Sequence, residues 1–185
     1  MTFANEYAGA ITQHANTVVK TWLVDAAIVD AVKAQNSANA GLTQADIDNL
    51  DKQWRAEVSA ATKPTIDKVL GNSLSAYLKT KLEASKGLYT EIFVMDGKGL
   101  NVGQSNITSD YWQGDEPKWQ ETFGKGAGSV HISDGVLLRS AGLLRHHGVI
   151  HMREHPCVEL GEVAVDDLGQ IVESGLESRQ AAVVE

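Results

Sequence analysis

An α+β fold is expected for this chain, with a helical first half followed by an antiparallel sheet. Apolar side chains recur at helical spacing up to residue 86, the period then falls to that of strands at Tyr89, and Asp96-Gly97 joins two β-rich runs. At 185 residues, 43% apolar and 22% charged, the chain can fill one ordinary core.

The first stripe is Ile11, Ala15, Val18, Trp22, Ala26 and Val29, spacings of three and four that predict one long amphipathic helix. Small and polar residues from Gln35 to Gly41 interrupt it. Thr43, three residues before Asp46, predicts a capping box and a second helix whose buried face is Ile47, Leu50, Trp54 and Val58. Pro64 suits the first turn of a third helix carrying Ile66, Val69, Leu70, Leu74, Tyr77 and Leu78, with Gly87 at its C-terminal cap and Gly71 a weak point within. Strands follow at Tyr89–Met95 and Leu100–Gln104. The Asp-Gly pair between them is expected to supply the positive φ angles of a tight hairpin. Residues 109–119 read as a loop leading to a short helix with Pro117 in its first turn, and Val130 to Ile132 begins a third strand.

Composition changes sharply beyond Gly126. Every aromatic residue lies at or before Phe123 and every lysine at or before Lys125, whereas the histidines other than His14 all follow. The chain divides accordingly into a sensor-like part, 1–133 (helices over 5–86, sheet and loop over 88–133), and an atypical tail, 134–185. The tail is expected not to be the native completion of the fold, being foreign or frame-shifted, which would leave the sheet short of strands. Gly161–Val165 is the segment that reads as a strand against that expectation.

Charge and patterning exclude several function classes. A formal charge of −8 argues against nucleic acid and anionic membrane surfaces, which need clustered Lys and Arg. No window approaches the roughly 20 apolar residues of a membrane span, and Met1 to Tyr7 lacks the basic-then-apolar pattern of a signal peptide. Cys157 is the sole cysteine, so no internal disulfide is expected and no redox compartment is indicated. No cofactor is expected: the glycines of 97–99 sit between strands, not in a phosphate-binding loop before a helix. No G-x-S-x-G elbow selects a nucleophile, and Asp115/Glu116 and Asp166/Asp167 are adjacent and point apart, so no enzyme is expected.

The run Glu91-Ile-Phe-Val-Met-Asp-Gly-Lys-Gly-Leu-Asn-Val-Gly-Gln-Ser105, with Thr108-Ser-Asp-Tyr-Trp-Gln-Gly-Asp-Glu116 and Lys118-Trp119-Gln120 after it, resembles the Cache (PDC) family of sensor domains. The likeness extends over about 5–133 and its specific part over 89–123. It implies a long N-terminal helix, a PAS-like antiparallel sheet and a ligand cavity behind the strand, D-x-x-G, strand, loop pattern. It further implies a periplasmic or extracytoplasmic signal-transduction role and a homodimer through the N-terminal helix.

Aromatic walls with a few fixed polar groups are the usual make-up of small-ligand sites. Met95, Asp110, Tyr111, Trp112, Asp115 and Trp119 are therefore the expected ligand-binding residues, with Tyr111, Trp112, Trp119, Met95 and Asp115 around one cavity. Packing of the aromatics as a lid, and helix capping by Asp110 and Asp115, are the competing structural roles. Two other functions stay open. On a helix His147, His151 and His155, with His146 and Cys157 nearby, would gather imidazoles for a metal, although Gly148 and Pro156 interrupt it. A helical oligomerisation module would use the N-terminal stripe alone.

Overall fold

The computed structural model describes residues 8–140, 143–155 and 158–165, with side chains over 9–132. Helices precede an antiparallel sheet, as an α+β fold requires. They are α1 (Ala8–His14), a π-helical turn (Ala15–Val19), α2 (Lys20–Trp22), α3 (Ala26–Ala38), α4 (Gln44–Val58), α5 (Pro64–Leu70) and α6 (Ser73–Ala84). The strands are β1 (Phe93–Met95), β2 (Asn101–Gln104), β3 (Ser129–Ser140), β4 (Leu143–His155) and β5 (Val158–Val165), with a short α7 (Pro117–Gln120) and a 3₁₀ turn (Phe123–Lys125) between β2 and β3. The sheet order is β2-β1-β5-β4-β3, antiparallel throughout.

The single long first helix is corrected to two. Asp25 leaves the helical region (φ −67°, ψ 133°) and its carboxylate accepts the Ala27 N–H, so a second helix starts at Ala26. The π turn before it adds a residue per turn and rotates the buried face. Ile11, Ala15 and Trp22 are buried as expected, but Val19, Leu23, Ile28 and Val32 take the places expected of Val18, Ala26 and Val29. The third helix is also two, since Gly71 ends α5 and the Asn72 side chain accepts from Ser75 N to begin α6. The capping box at Thr43 and Asp46 is present in both directions. Buried Glu57 at the end of α4 caps α5 in turn, accepting Thr65 N at 2.8 Å and Ile66 N at 3.0 Å.

The larger core joins Ile11, Val19, Leu23, Ile28 and Val32 to Leu74 and Leu78 of α6 and to Ile92, Val94 and Val102 of the sheet. Gly103 is required there, because a Cβ would come within 2.7 Å of Leu74 Cγ. A second cluster holds Ile47 and Trp54 of α4, Ile66 and Val69 of α5, and Leu100 and Tyr111. The aromatic corner of the first core is polar at one point: His14 Nε2 lies 2.6 Å from Tyr89 Oη, and Trp22 packs edge-on against that tyrosine.

The hairpin turn differs from the expected one. Gly97 is not left-handed; Gly99 is (φ 82°), and a Cβ on it would meet the Gly114 backbone at 2.8 Å. The reason is Asp96, whose carboxylate builds an Asx-type turn by accepting Lys98 N at 2.8 Å and Leu100 N at 3.0 Å through Oδ1. Its Oδ2 accepts Gln35 Nε2 at 3.0 Å and Asn39 Nδ2 at 2.7 Å from the end of α3, while Gly97 N donates to Asn36 Oδ1 at 2.7 Å.

Beyond β2, Val130 does lie in a strand, and so does Gly161–Val165. The division at 133/134 falls inside β3, and β5 pairs with β1 through Val94↔Leu160 and Met95↔Glu159. The expectation of a sheet short of strands is corrected on that pairing. Strand pairing runs through backbone groups, which a composition change leaves intact.

Two outcomes test this frame. Asp96→Ala is expected to lower the unfolding free energy in urea by about 3 kcal/mol or more, since buried donors lose a charged acceptor; a loss under about 1 kcal/mol would show that the turn stands without it. Burial holds the His14 imidazole below its ordinary value of 6.5. The folded state therefore resists the proton, so stability is complete where the ring is neutral in both states and falls as pH drops below about 6.5. His14→Gln should flatten the stability curve below about pH 6.5, read by thermal unfolding as the pH is lowered.

Candidate functional site

The loop after β2 is built from α4 outward. Asp51 and Arg55 are one turn apart and face it. Asp51 Oδ1 accepts the backbone N–H of Tyr111 at 2.8 Å and of Trp112 at 3.1 Å, while Oδ2 holds Arg55 Nε at 2.6 Å. Arg55 Nη2 reaches Asp110 Oδ2 at 3.2 Å, and these bonds raise the guanidinium pKa, the Asp51 hydrogen bond most of all. Trp54 donates Nε1–H to Thr108 O at 2.9 Å and stacks on Tyr111 at 5.1 Å. Burial, with the Asp96 charge, pushes the Tyr111 hydroxyl up to about 12.

From the other side the loop runs along β2 like a short extra strand. Asn101 N donates to Tyr111 O at 3.1 Å, Gln113 N to Gly99 O at 2.8 Å, and the Trp112 indole to Lys98 O at 2.8 Å. Beneath it lies a buried polar cluster. Asn101 Nδ2 donates to Gln104 Oε1 at 3.0 Å and Thr108 Oγ1 at 3.0 Å, and Asp110 O accepts from Thr108 Oγ1 at 2.6 Å, from Asn101 Nδ2 at 3.3 Å and from Gln113 Nε2 at 3.3 Å. Gln113 Nε2 also donates to Asp110 Oδ1. Asn101 and Gln104 are 0% exposed and Gln113 1%, yet among the described residues Asn101 Oδ1, Gln104 Nε2 and Gln113 Oε1 have no hydrogen-bond partner, and neither does the buried Trp119 Nε1. Each such atom costs about 1–3 kcal/mol in a sealed interior, which makes a group of them exceptional.

The expected site residues fall into separate environments. Met95 is fully buried on β1, opposite Asn101 in register. Asp110 is buried between Arg55 and Gln113, beside the polar cluster. Tyr111 and Trp112 face α4 and the hairpin turn, where they act as packing. Asp115 is exposed, and its carbonyl accepts from Gln120 Nε2 at 3.2 Å; Glu116, not an aspartate, occupies the N-cap of α7. Trp119 is half-buried on α7 and stacks on Phe123 at 4.6 Å, while its neighbour Lys118 pairs with Glu116 at 2.8 Å and lies 5.3 Å over the Phe93 ring. Asn101, Gln104 and Gln113 escaped the sequence reading, although two amides, Asn101 and Gln104, within one expected strand were a signal to look for. An open groove of about 300 Å³ on α4, lined by Leu42, Asp46, Asn49, Leu50 and Gln53, contains none of the expected residues.

The histidine reading loses its helical premise, because Leu143–His155 is a strand. Those side chains and Cys157 lie outside the described residues. Among the described residues no group of His, Cys, Asp and Glu is placed to hold a metal ion, and no helix is long and apolar enough to cross a membrane.

No family model matches the chain, and no curated protein does. Among solved structures, the sensor domain of the V. cholerae histidine kinase DctB is similar over 86% of this chain, at 14% identity and a TM-score of 0.35. The match spans 55% of that chain, little more than half its length. Function is therefore read from the geometry of the loop and the cluster beneath it.

Proposed function

We propose that the chain is a small-molecule-sensing domain of the Cache type, non-enzymatic, working on the extracytoplasmic side in signal transduction. The observation that supports it best is the set of buried polar atoms left unpaired between β2 and the loop held by Asp51. A structural core pairs its polar groups, whereas a binding site keeps some for its ligand. Met95 and Asp110 lie beside this cluster and, with Trp119 of α7, are its proposed contacts, while Tyr111 and Trp112 hold the loop's shape. Asp115, exposed at the loop's end, would meet ligand only as it enters. Residues 1–133 supply the site in this reading, and 134–185 remain the part proposed to be atypical. The proposed homodimer would use the outer face of α1 and the π turn, where Val18 is 37% exposed.

A thermal-shift screen of the full chain against amino acids, small carboxylates and neutral metabolites tests the reading. A ligand at about 100 times its Kd adds about 2.7 kcal/mol to the folded state, a shift of several degrees. Trp119→Ala is expected to abolish ligand-induced change in tryptophan fluorescence, and Asp110→Asn to weaken binding. A chain that none of these compounds stabilises, or binding unchanged in both variants, would overturn it.

A further inference from the structure

We propose that Asn101, Gln104 and Gln113 recognise an uncharged, hydroxyl-bearing small molecule, an inference that rests on the reading of this loop as a ligand site. The three side chains belong to one hydrogen-bonded cluster through Asp110 O and Gln104 Oε1, and each retains one buried atom that no described residue bonds. Those atoms are of both kinds: the carbonyl oxygens of Asn101 and Gln113 need donors, and the Gln104 amide nitrogen needs an acceptor.

The mixture selects among ligands. A carboxylate brings acceptors only, so it answers Gln104 and meets the two carbonyl oxygens with like partial charge. An ammonium brings donors only and leaves Gln104 Nε2 unanswered. A hydroxyl donates and accepts at once. Rotating an amide by half a turn interchanges its donor and acceptor, and a hydroxyl suits either setting. Charge agrees. Arg55 is held by Asp51 and Asp110 and Lys118 by Glu116, while the Asp110 carboxylate beside the cluster repels anions. The cluster's strand neighbours are apolar, with Met95 opposite Asn101 and Phe93 opposite Gln104, and both are buried. Polar floor beside apolar wall matches the alternating O–H and C–H faces of a polyol or monosaccharide.

The test is titration calorimetry of the full chain with three probe sets: sorbitol, glucose and galactose; succinate and malate; alanine and serine. Saturable heat is expected from a member of the first set. Gln104→Met keeps the side-chain volume and removes the unpaired nitrogen together with Oε1, whose donor Asn101 Nδ2 keeps Thr108 Oγ1 and Asp110 O; it is expected to weaken that binding about tenfold or more while lowering the melting temperature of the free protein by only a few degrees. Gln113→Met is the second variant should Gln104→Met fail to fold, with the same expected loss of binding. Saturable binding of the carboxylates or the amino acids only, or polyol binding that Gln104→Met and Gln113→Met leave intact, would overturn this inference while leaving the sensor reading in place. No saturable binding from any probe set, with only the general stabilisation that polyols give every protein, would overturn both.

Discussion

The Asp96 carboxylate is the constraint from which the rest of the molecule is positioned. It closes the β1–β2 turn with one oxygen and binds the end of α3 with the other, although it is 1% exposed. Burying a carboxylate is tolerable only where hydrogen bonds replace its hydration, and here amide donors from two separate elements do so. The turn in turn sets Gly99 and Leu100, to which the site loop is bonded. A residue that looked like simple turn chemistry thus joins the helical half to the sheet and to the loop.

Much of the helical half was legible because its signals are local. The Thr43–Asp46 capping box and the Ile47/Trp54 face of α4 depend on residues within a few turns, and the structure has them as read. The break at Asp25 was not legible, since the apolar spacing runs straight through it and only the π turn, a backbone adjustment, shifts the phase. Gly97 looked like the left-handed residue because Asp-Gly usually is one; the side chain of Asp96 supplied a different turn and moved that requirement to Gly99. The strands beyond Ser129 were hidden by a composition that dropped aromatics, although Gly161–Val165 had the pattern. In the site, aromatic density led to Tyr111 and Trp112, which α4 and the turn claim for packing. The amides could not be ranked from sequence, because what distinguishes them is a missing partner.

The two sides of the loop have opposite characters. Toward α4 the loop is held by the Arg55–Asp110 ion pair, the Trp54 indole bond, the Asp51 bonds to its backbone and the Trp54–Tyr111 stack. Toward β2 polar atoms are buried and unpaired. Local destabilisation held in place by a well-bonded surround is how binding sites are kept ready before a ligand arrives.

The pairing of β1 with β5 has a consequence for how the chain reaches this state. Helices and the β1–β2 hairpin bring together near neighbours in sequence, but Val94 meets Leu160 only after the intervening segment has folded back. High sequence separation of that kind slows folding, because loop closure precedes any return in contacts. Until it happens, β1 is an open edge of three residues, Phe93 to Met95, buried in the finished protein and preceded by the equally buried Ile92. An unpaired apolar edge is a template for other chains. The return of β5 is thus the event that covers the β1 edge, and the ribosome delivers it after the other described strands.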